Sequence, residues 1–293
     1  MTTDCYYRFH YDNDFFGGTD YYYTQGIKFE YVHPALKKLP IMKLLVRPRN
    51  GELKYGIGID LFGYTPTIIR SRQILYGDRP YAGCISFNTF MIGVDTIRQQ
   101  RLSSAMSVGI IGSGAFGREI QTFIHRTIGK KIPQGWKHEI RNDLILNYQI
   151  NYEKSLVKCK NLFLLNGIAE IRAGTLNTKL SGGLNMMIGN FENPYSSIEE
   201  NSTLKRKVSY YLYAQTGVTF IGYDATLQGG LLNRKSPYTI PSSQIARVTA
   251  QTTAGIVFNF RKVSLSYSKS YLTKEFDTGK KHDWGEISVG IIL

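Results

Sequence analysis

Apolar and polar residues alternate with a period of two along most of the chain. Ile27, Phe29 and Tyr31 alternate with Lys28 and Glu30, and Tyr55, Ile57, Ile59 and Leu61 with Gly56, Gly58 and Asp60. Leu146, Tyr148, Ile150 and Tyr152 alternate with Asn147, Gln149 and Asn151. Val248, Ala250, Thr252, Ala254, Ile256 and Phe258 share one face of a later segment, and Ile287, Val289, Ile291 and Leu293 share a face at the end of the chain. A strand sends successive side chains to opposite faces, so this pattern predicts strands whose two faces meet different surroundings. Twelve are expected, over 5–13, 23–33, 54–63, 82–94, 102–112, 143–154, 162–174, 178–189, 207–221, 245–260, 262–272 and 284–293.

An even number of antiparallel strands of about ten residues, each with one apolar and one polar or small face, is the signature of an outer-membrane barrel. A soluble β-sandwich alternates in the same way. Strand length, and the Tyr and Phe gathered near strand ends where an interfacial girdle would sit, favour the barrel. The expected fold is all-β, a 12-stranded antiparallel transmembrane β-barrel forming one domain over residues 1–293. Ile27, Phe29, Tyr31, Leu146 and Ile150 should then face lipid, and Lys28, Glu30, Asn147 and Gln149 the lumen.

One segment breaks the period. In GREIQTFIHRTIG, residues 117–129, Ile120, Phe123, Ile124 and Ile128 recur at helical spacing, which predicts a short amphipathic helix inside a loop. Gln121 and His125 lie four apart and project from one face of it. The segments 34–53 and 190–206 are turn-rich and basic.

Composition narrows the classes. With 21 Tyr and 15 Phe in 293 residues, long disordered and low-complexity chains are excluded. No eighteen consecutive residues are apolar, which excludes a transmembrane helix. Residues 1–5, MTTDC, lack the features of a signal peptide, so the protein is expected to be cytosolic or to have lost its signal. Cys5, Cys84 and Cys159 are too few and too scattered for a disulfide framework or a zinc site. The net charge of +14 favours an anionic partner, whether nucleic acid, phospholipid or lipopolysaccharide.

Strand parity puts the loops after the odd strands at one rim. DNDFFGGTD (12–20) follows the first strand, Thr24 opens the second, GDRPYAG (77–83) closes the third loop, and the helix follows the fifth strand. Residues 14–22, 64–81 and 113–141 should therefore share a rim, with the helix leaning on the barrel wall. Asp12, Asp14 and Asn13 offer the hard oxygens that Ca²⁺ prefers. His125 is a candidate general base, and Arg79, with Arg70 and Arg72, a candidate phosphate-binding group. A metal and a water-activating histidine together suit ester hydrolysis. Each feature also has a structural alternative: Asp-Asn-Asp before Gly17-Gly18 as a turn, Arg79 as a loop ion pair, Gln121 as an anchor between helix and rim.

These residues resemble a known family, the lipid A 3'-O-deacylases of the Gram-negative outer membrane. The likeness rests on Asn13-Asp14-Phe15, Thr19-Asp20 and Tyr23-Thr24-Gln25-Gly26; on Thr65-Pro66 and Gly77-Asp78-Arg79-Pro80-Tyr81-Ala82-Gly83; and on the spacing of Gly112, Ala115, Gly117, Gln121, His125, Gly129, Gly135, Trp136 and Asn142. It implies an esterase that takes 3'-acyloxyacyl chains from lipid A. His125 would activate water, and Ca²⁺ near Asn13, Asp14 and Thr24 would stabilise the oxyanion, with Gln121 in the site. The protein is expected in the Gram-negative outer membrane as a monomer, with its site at the outward-facing rim, lipopolysaccharide as substrate, outer-membrane lipids as surroundings and no nucleic-acid partner. The chain departs from the family at Lys131, at Glu139-Ile140-Arg141-Asn142-Asp143 and at Leu293. An outer-membrane phospholipase, or a non-catalytic small porin or adhesin, is the alternative.

Overall fold

The computed structural model describes residues 5–18, 21–196 and 208–293. Thr19 and Asp20 of the first motif, much of the basic segment 190–206, and residue 207 of the ninth expected strand lie outside them. Among the described residues, twelve strands form one closed antiparallel barrel in which each pairs with its sequence neighbours and the first with the last. They are β1 (Tyr6–Asn13), β2 (Tyr22–Val32), β3 (Glu52–Thr65), β4 (Ala82–Asp95), β5 (Gln100–Ile111), β6 (Asp143–Cys159), β7 (Phe163–Gly174), β8 (Asn177–Asn190), β9 (Val208–Asp224), β10 (Val248–Phe260), β11 (Val263–Leu272) and β12 (His282–Ile292). Every expected strand forms. The largest displacement at a start is in the tenth, where Ile245 leaves the wall and packs instead with Phe276, Leu227, Ile240 and Tyr22.

The two faces carry the chemistry that the alternation predicts. Phe29 and Leu146 stand out from the wall, whereas Lys28, Glu30, Asn147 and Gln149 point inward into polar pairs. In the lumen, Glu30 accepts from Lys28 at 2.9 Å and lies 3.6 Å from Arg8, while His10 meets Glu286 at 2.9 Å across the β1–β12 closure. Each charge is matched, as burial away from bulk water requires. Towards the end holding the chain termini, Phe191 and Tyr195 fold into the lumen against Val94 and Leu164, and the Tyr195 hydroxyl donates to Glu153 at 2.6 Å.

The loops divide by parity. The turns after β4 and β10 are short, while those after β3, β5, β9 and β11 are longer and gather at the other rim. This asymmetry marks the second rim as the outward one in barrels of this type. Three connections depart from this division: the two-residue turn after β7, the connection 191–207 after β8, and the segment 33–51 after β2. The last of these forms two 3-10 turns, Pro34–Lys38 and Pro40–Leu44, and lies on the outside of the wall, with Met42 and Leu45 packed on Tyr55 and Met91.

Candidate functional site

A β-bulge in β2 sets up the site. Pairing with β3 shifts between Tyr23 and Gln25, so Thr24 is the extra residue. A bulge places two successive residues where the pleat would place one, and thereby re-aims side chains. Tyr23 turns to the lumen, where its hydroxyl donates to Asp12 at 2.7 Å, and Thr24 turns to the outer wall. Without this slip Thr24 would share the lumen with Lys28 and Glu30.

On that outer wall lies the helix α1 (Gly117–Thr127), whose buried residues are Gly117, Gln121 and His125, one stripe at a spacing of four. The expected amphipathic helix is present, with its packing inverted: the small and polar stripe faces the barrel, while Phe123 is 70% exposed and Ile128 56%. Close approach explains the first position. Gly83 of β4 and Gly117 touch backbone to backbone, and a Cβ on Gly117 would come within 2.8 Å of the Trp136 ring and 3.1 Å of the Gly83 Cα.

Gln121 holds the next turn. Its amide nitrogen donates to the Thr24 hydroxyl at 3.1 Å and its oxygen accepts from the Trp136 indole at 2.7 Å. Both ends of the amide are committed, so Gln121 positions the helix. Trp136, 2% exposed and packed on Tyr81, completes the cradle. Site assignment from the sequence omits Trp136, although the Gly-Trp pair and its spacing from Gln121 are visible there.

His125 comes one turn later, 5% exposed. Its Nδ1 lies 2.7 Å from the carbonyl oxygen of Lys131. A carbonyl can only accept, so Nδ1 carries the proton and Nε2 is left as an acceptor in the neutral ring. The chain reaches Lys131 through Gly129, whose φ of +69° is costly for residues with a Cβ.

The Asp-Asn-Asp motif splits across the wall. Asp12 faces the lumen, as described. Asn13 faces outward: its Nδ2 donates to the Tyr11 hydroxyl at 3.2 Å and its Oδ1 accepts from the Phe15 N–H at 2.8 Å, capping a 3-10 turn, Asp14–Gly17, that begins with the buried Asp14. The turn reaches the helix through Lys130, whose ammonium sits 4.8 Å from the Phe15 ring centroid. Asn13, Asp14, Thr24, Gln121 and His125 are thus gathered around one stretch of outer wall. Asp14, Asn13 and Thr24 supply carboxylate, amide and hydroxyl oxygens, a donor chemistry that fits Ca²⁺.

Arg79 does not join them. Its guanidinium pairs with Glu275, donates to the Thr226 hydroxyl at 2.9 Å and stacks 3.7 Å from the centroid of the lumen-facing Tyr64. The expectation that it binds phosphate is corrected: the side chain is fully buried inside the outward mouth, where it ties together the loops after β3, β9 and β11. Arg70 and Arg72 are on that loop, and the Arg72 carbonyl accepts from His138 at 3.1 Å. Glu139 lies nearby, where burial and, secondarily, the charge of Glu119 push its carboxyl up to about 7.

Comparison with known proteins identifies a family and similar solved barrels. The family model described as "Outer membrane protein LpxR" matches residues 2–293. Among solved structures, "LpxR from Salmonella typhimurium" is 18% identical with a TM-score of 0.78, covering 98% of this chain and 100% of that one. The β domain of the Bordetella autotransporter BrkA is 10% identical with a TM-score of 0.52 and covers 100% of both chains. At such identities the structures speak for the fold alone. No curated protein sequence matches the chain.

Proposed function

The chain belongs to the LpxR family of outer membrane proteins, and on that premise we propose that it is an outer-membrane esterase that removes ester-linked 3'-acyloxyacyl chains from lipid A. The observation that carries this reading is His125, held on the outer wall with Nδ1 committed to the Lys131 carbonyl, which leaves Nε2 as the acceptor nitrogen. A site outside the wall at the outward rim is where a lipid of the outer leaflet would present its ester without entering the lumen.

In the proposed reaction, Nε2 of His125 takes a proton from water as the oxygen attacks the ester carbonyl. The tetrahedral species collapses with cleavage of the acyl C–O bond. The sugar oxygen recovers the proton from His125, and the released acid gives its carboxyl proton to solvent and leaves as carboxylate. Gln121, through Thr24 and Trp136, fixes the angle at which α1 offers the imidazole. Asp14, Asn13 and Thr24 are the residues that would hold Ca²⁺, which when bound supplies positive charge for the developing oxyanion. The exposed Phe15, Phe116 and Phe123 offer apolar surface beside the site for acyl chains.

The test is mass spectrometry of lipid A from membranes with and without the protein. Loss of one acyloxyacyl unit, dependent on His125, is expected. Unchanged lipid A, or release of fatty acid from phospholipid instead, overturns the assignment.

A further inference from the structure

The segment 33–51 is an irregular stretch of backbone laid on a wall that faces lipid, and its hydrogen bonding shows how that is possible. Unpaired N–H and C=O groups are costly beside hydrocarbon, so loops at membrane depth need partners. The wall supplies them. The Tyr148 hydroxyl donates to the Leu44 carbonyl at 3.0 Å and accepts from the Val46 N–H at 2.9 Å, and the Ser104 hydroxyl donates to the Val46 carbonyl at 2.9 Å. Tyr148 and Ser104 stand at lipid-facing positions of β6 and β5, the register that also carries Met106 and Ile150. Pro48 closes the segment over Gly93, whose Cβ would come within 2.3 Å of the proline ring.

The outer surface of this strap has a definite chemistry. Lys37, Lys38, Lys43, Arg47 and Arg49 are all exposed, no acidic residue occurs between 33 and 50, and none of the five cations forms an ion pair among the described residues. Leu44 is 63% exposed and Val46 45%, interleaved with those cations. Where the strap meets the start of β3, a cavity of about 320 Å³ is lined by Pro34, Lys37, Leu53, Lys54 and Tyr55, apolar walls with two amines. The strap sits at the rim of the chain termini, opposite α1.

We propose that residues 33–51 form a binding surface for anionic phospholipid of the periplasmic leaflet. The cations take the headgroup phosphate, Leu44 and Val46 enter the acyl boundary, and the cavity by Lys37 holds the top of one chain. Charge complementarity selects the occupant: clusters of Lys and Arg at a membrane surface attract anionic lipid, each cation adding roughly a fivefold preference. The inference is independent of the esterase reading, because the strap and the His125 site occupy opposite rims.

Native mass spectrometry of the full protein, exchanged into equal amounts of phosphatidylglycerol and phosphatidylcholine, tests it. The wild type should retain phosphatidylglycerol at least about fivefold over phosphatidylcholine. Lys37→Gln, Lys38→Gln, Lys43→Gln, Arg47→Gln and Arg49→Gln together should bring the ratio to one. Tyr148→Phe with Ser104→Ala, which frees the strap and leaves its charge intact, should lower the ratio as well, and keeps the test open if the quintuple variant fails to fold. Equal retention by the wild type overturns the proposal. So does an equal loss from Lys154→Gln, Lys158→Gln and Lys160→Gln, cations of the same rim outside the strap, or a dimer peak that the quintuple variant abolishes, which would assign the surface to a second copy.

Discussion

Two segments lean on the same outer wall, α1 at its outward end and the strap 33–51 at the other, and they are built by opposite rules. The helix buries its small and polar stripe, Gly117, Gln121 and His125, and leaves Phe123 outside. The strap buries Met42 and Leu45 and leaves five cations outside. In lipid, apolar contact gives little net drive for association, so packing and satisfied polar groups decide what seats against a wall. The strap meets this with apolar packing and three hydrogen bonds to its backbone from Tyr148 and Ser104. The helix bonds its own backbone, which frees its side chains to bond Thr24 and Trp136. A segment whose backbone is already satisfied can spend wall contacts on chemistry; an irregular one must spend them on itself.

The contrast breaks most sharply at His125. His125→Ala should cut deacylation of purified lipid A by about 10²-fold to 10⁴-fold, the usual worth of a general base, while the folded barrel keeps its heat-modifiable mobility in electrophoresis. Next comes the seat of the helix. Gly117→Val drives a side chain into Trp136 and Gly83, at a cost of roughly 1–3 kcal/mol, and should lower kcat/KM by roughly 10²-fold through displacement of the imidazole. Its readout is the same assay with limited proteolysis across 113–142. Asp14→Ala should lose activity in a way that added Ca²⁺ partly restores, whereas His125→Ala should not respond.

The strap gives the smaller effects. Ser104→Ala removes one donor to the Val46 carbonyl and should destabilise by about 1 kcal/mol in denaturant titrations, with deacylation unchanged. A strap mutation that abolished activity would break the division between the two ends. The smallest effect concerns pH. Burial raises the Glu139 carboxyl to about 7, above its unfolded value, so the folded loop holds a proton that the opened loop releases. The loop 113–142 is therefore firmest at low pH and loses that contribution as pH climbs through about 7. Proteolytic nicking there should increase over this interval, and Glu139→Gln should flatten the dependence.

The barrel is legible because one property, alternation, is written twelve times by two different surroundings. Even the shared rim follows from parity. What parity cannot carry is any departure from the pleat. The bulge in β2 turns Thr24 to the outer wall, where an unbroken pleat would put it in the lumen, whereas Asp12 and Asn13, adjacent and alike in the sequence, part by the ordinary alternation of β1. Arg79 resembles a phosphate ligand because its partner Glu275 lies 196 residues away, in a loop that no local pattern connects to it. The apolar stripe of α1 is visible, but in a membrane protein such a stripe points to lipid as readily as to a core. The strap leaves its sign in Tyr148 and Ser104, hydroxyls on one patch of the lipid-facing side of β6 and β5.

The closure of the barrel bears on how the protein would fail. β1, the strand that joins the end of the chain to its beginning, is 8 residues long, against 17 for β9. The two seams of β1 are the shortest in the wall, and the one that closes the barrel is clasped by His10 and Glu286 across β1 and β12. Asn13 and Asp14 sit at the tip of that strand, and the turn Asp14–Gly17 packs against β12, Gly17 on Asp283 and Phe16 on Gly285, whereas Thr24 and the helix with His125 lie on the β2–β4 side. Opening of that seam therefore strips the Asp14–Gly17 turn of its support on β12 while most of the wall stands. On heating, activity should be the first property lost, before the barrel opens as a whole, and on cooling it should be the last to return.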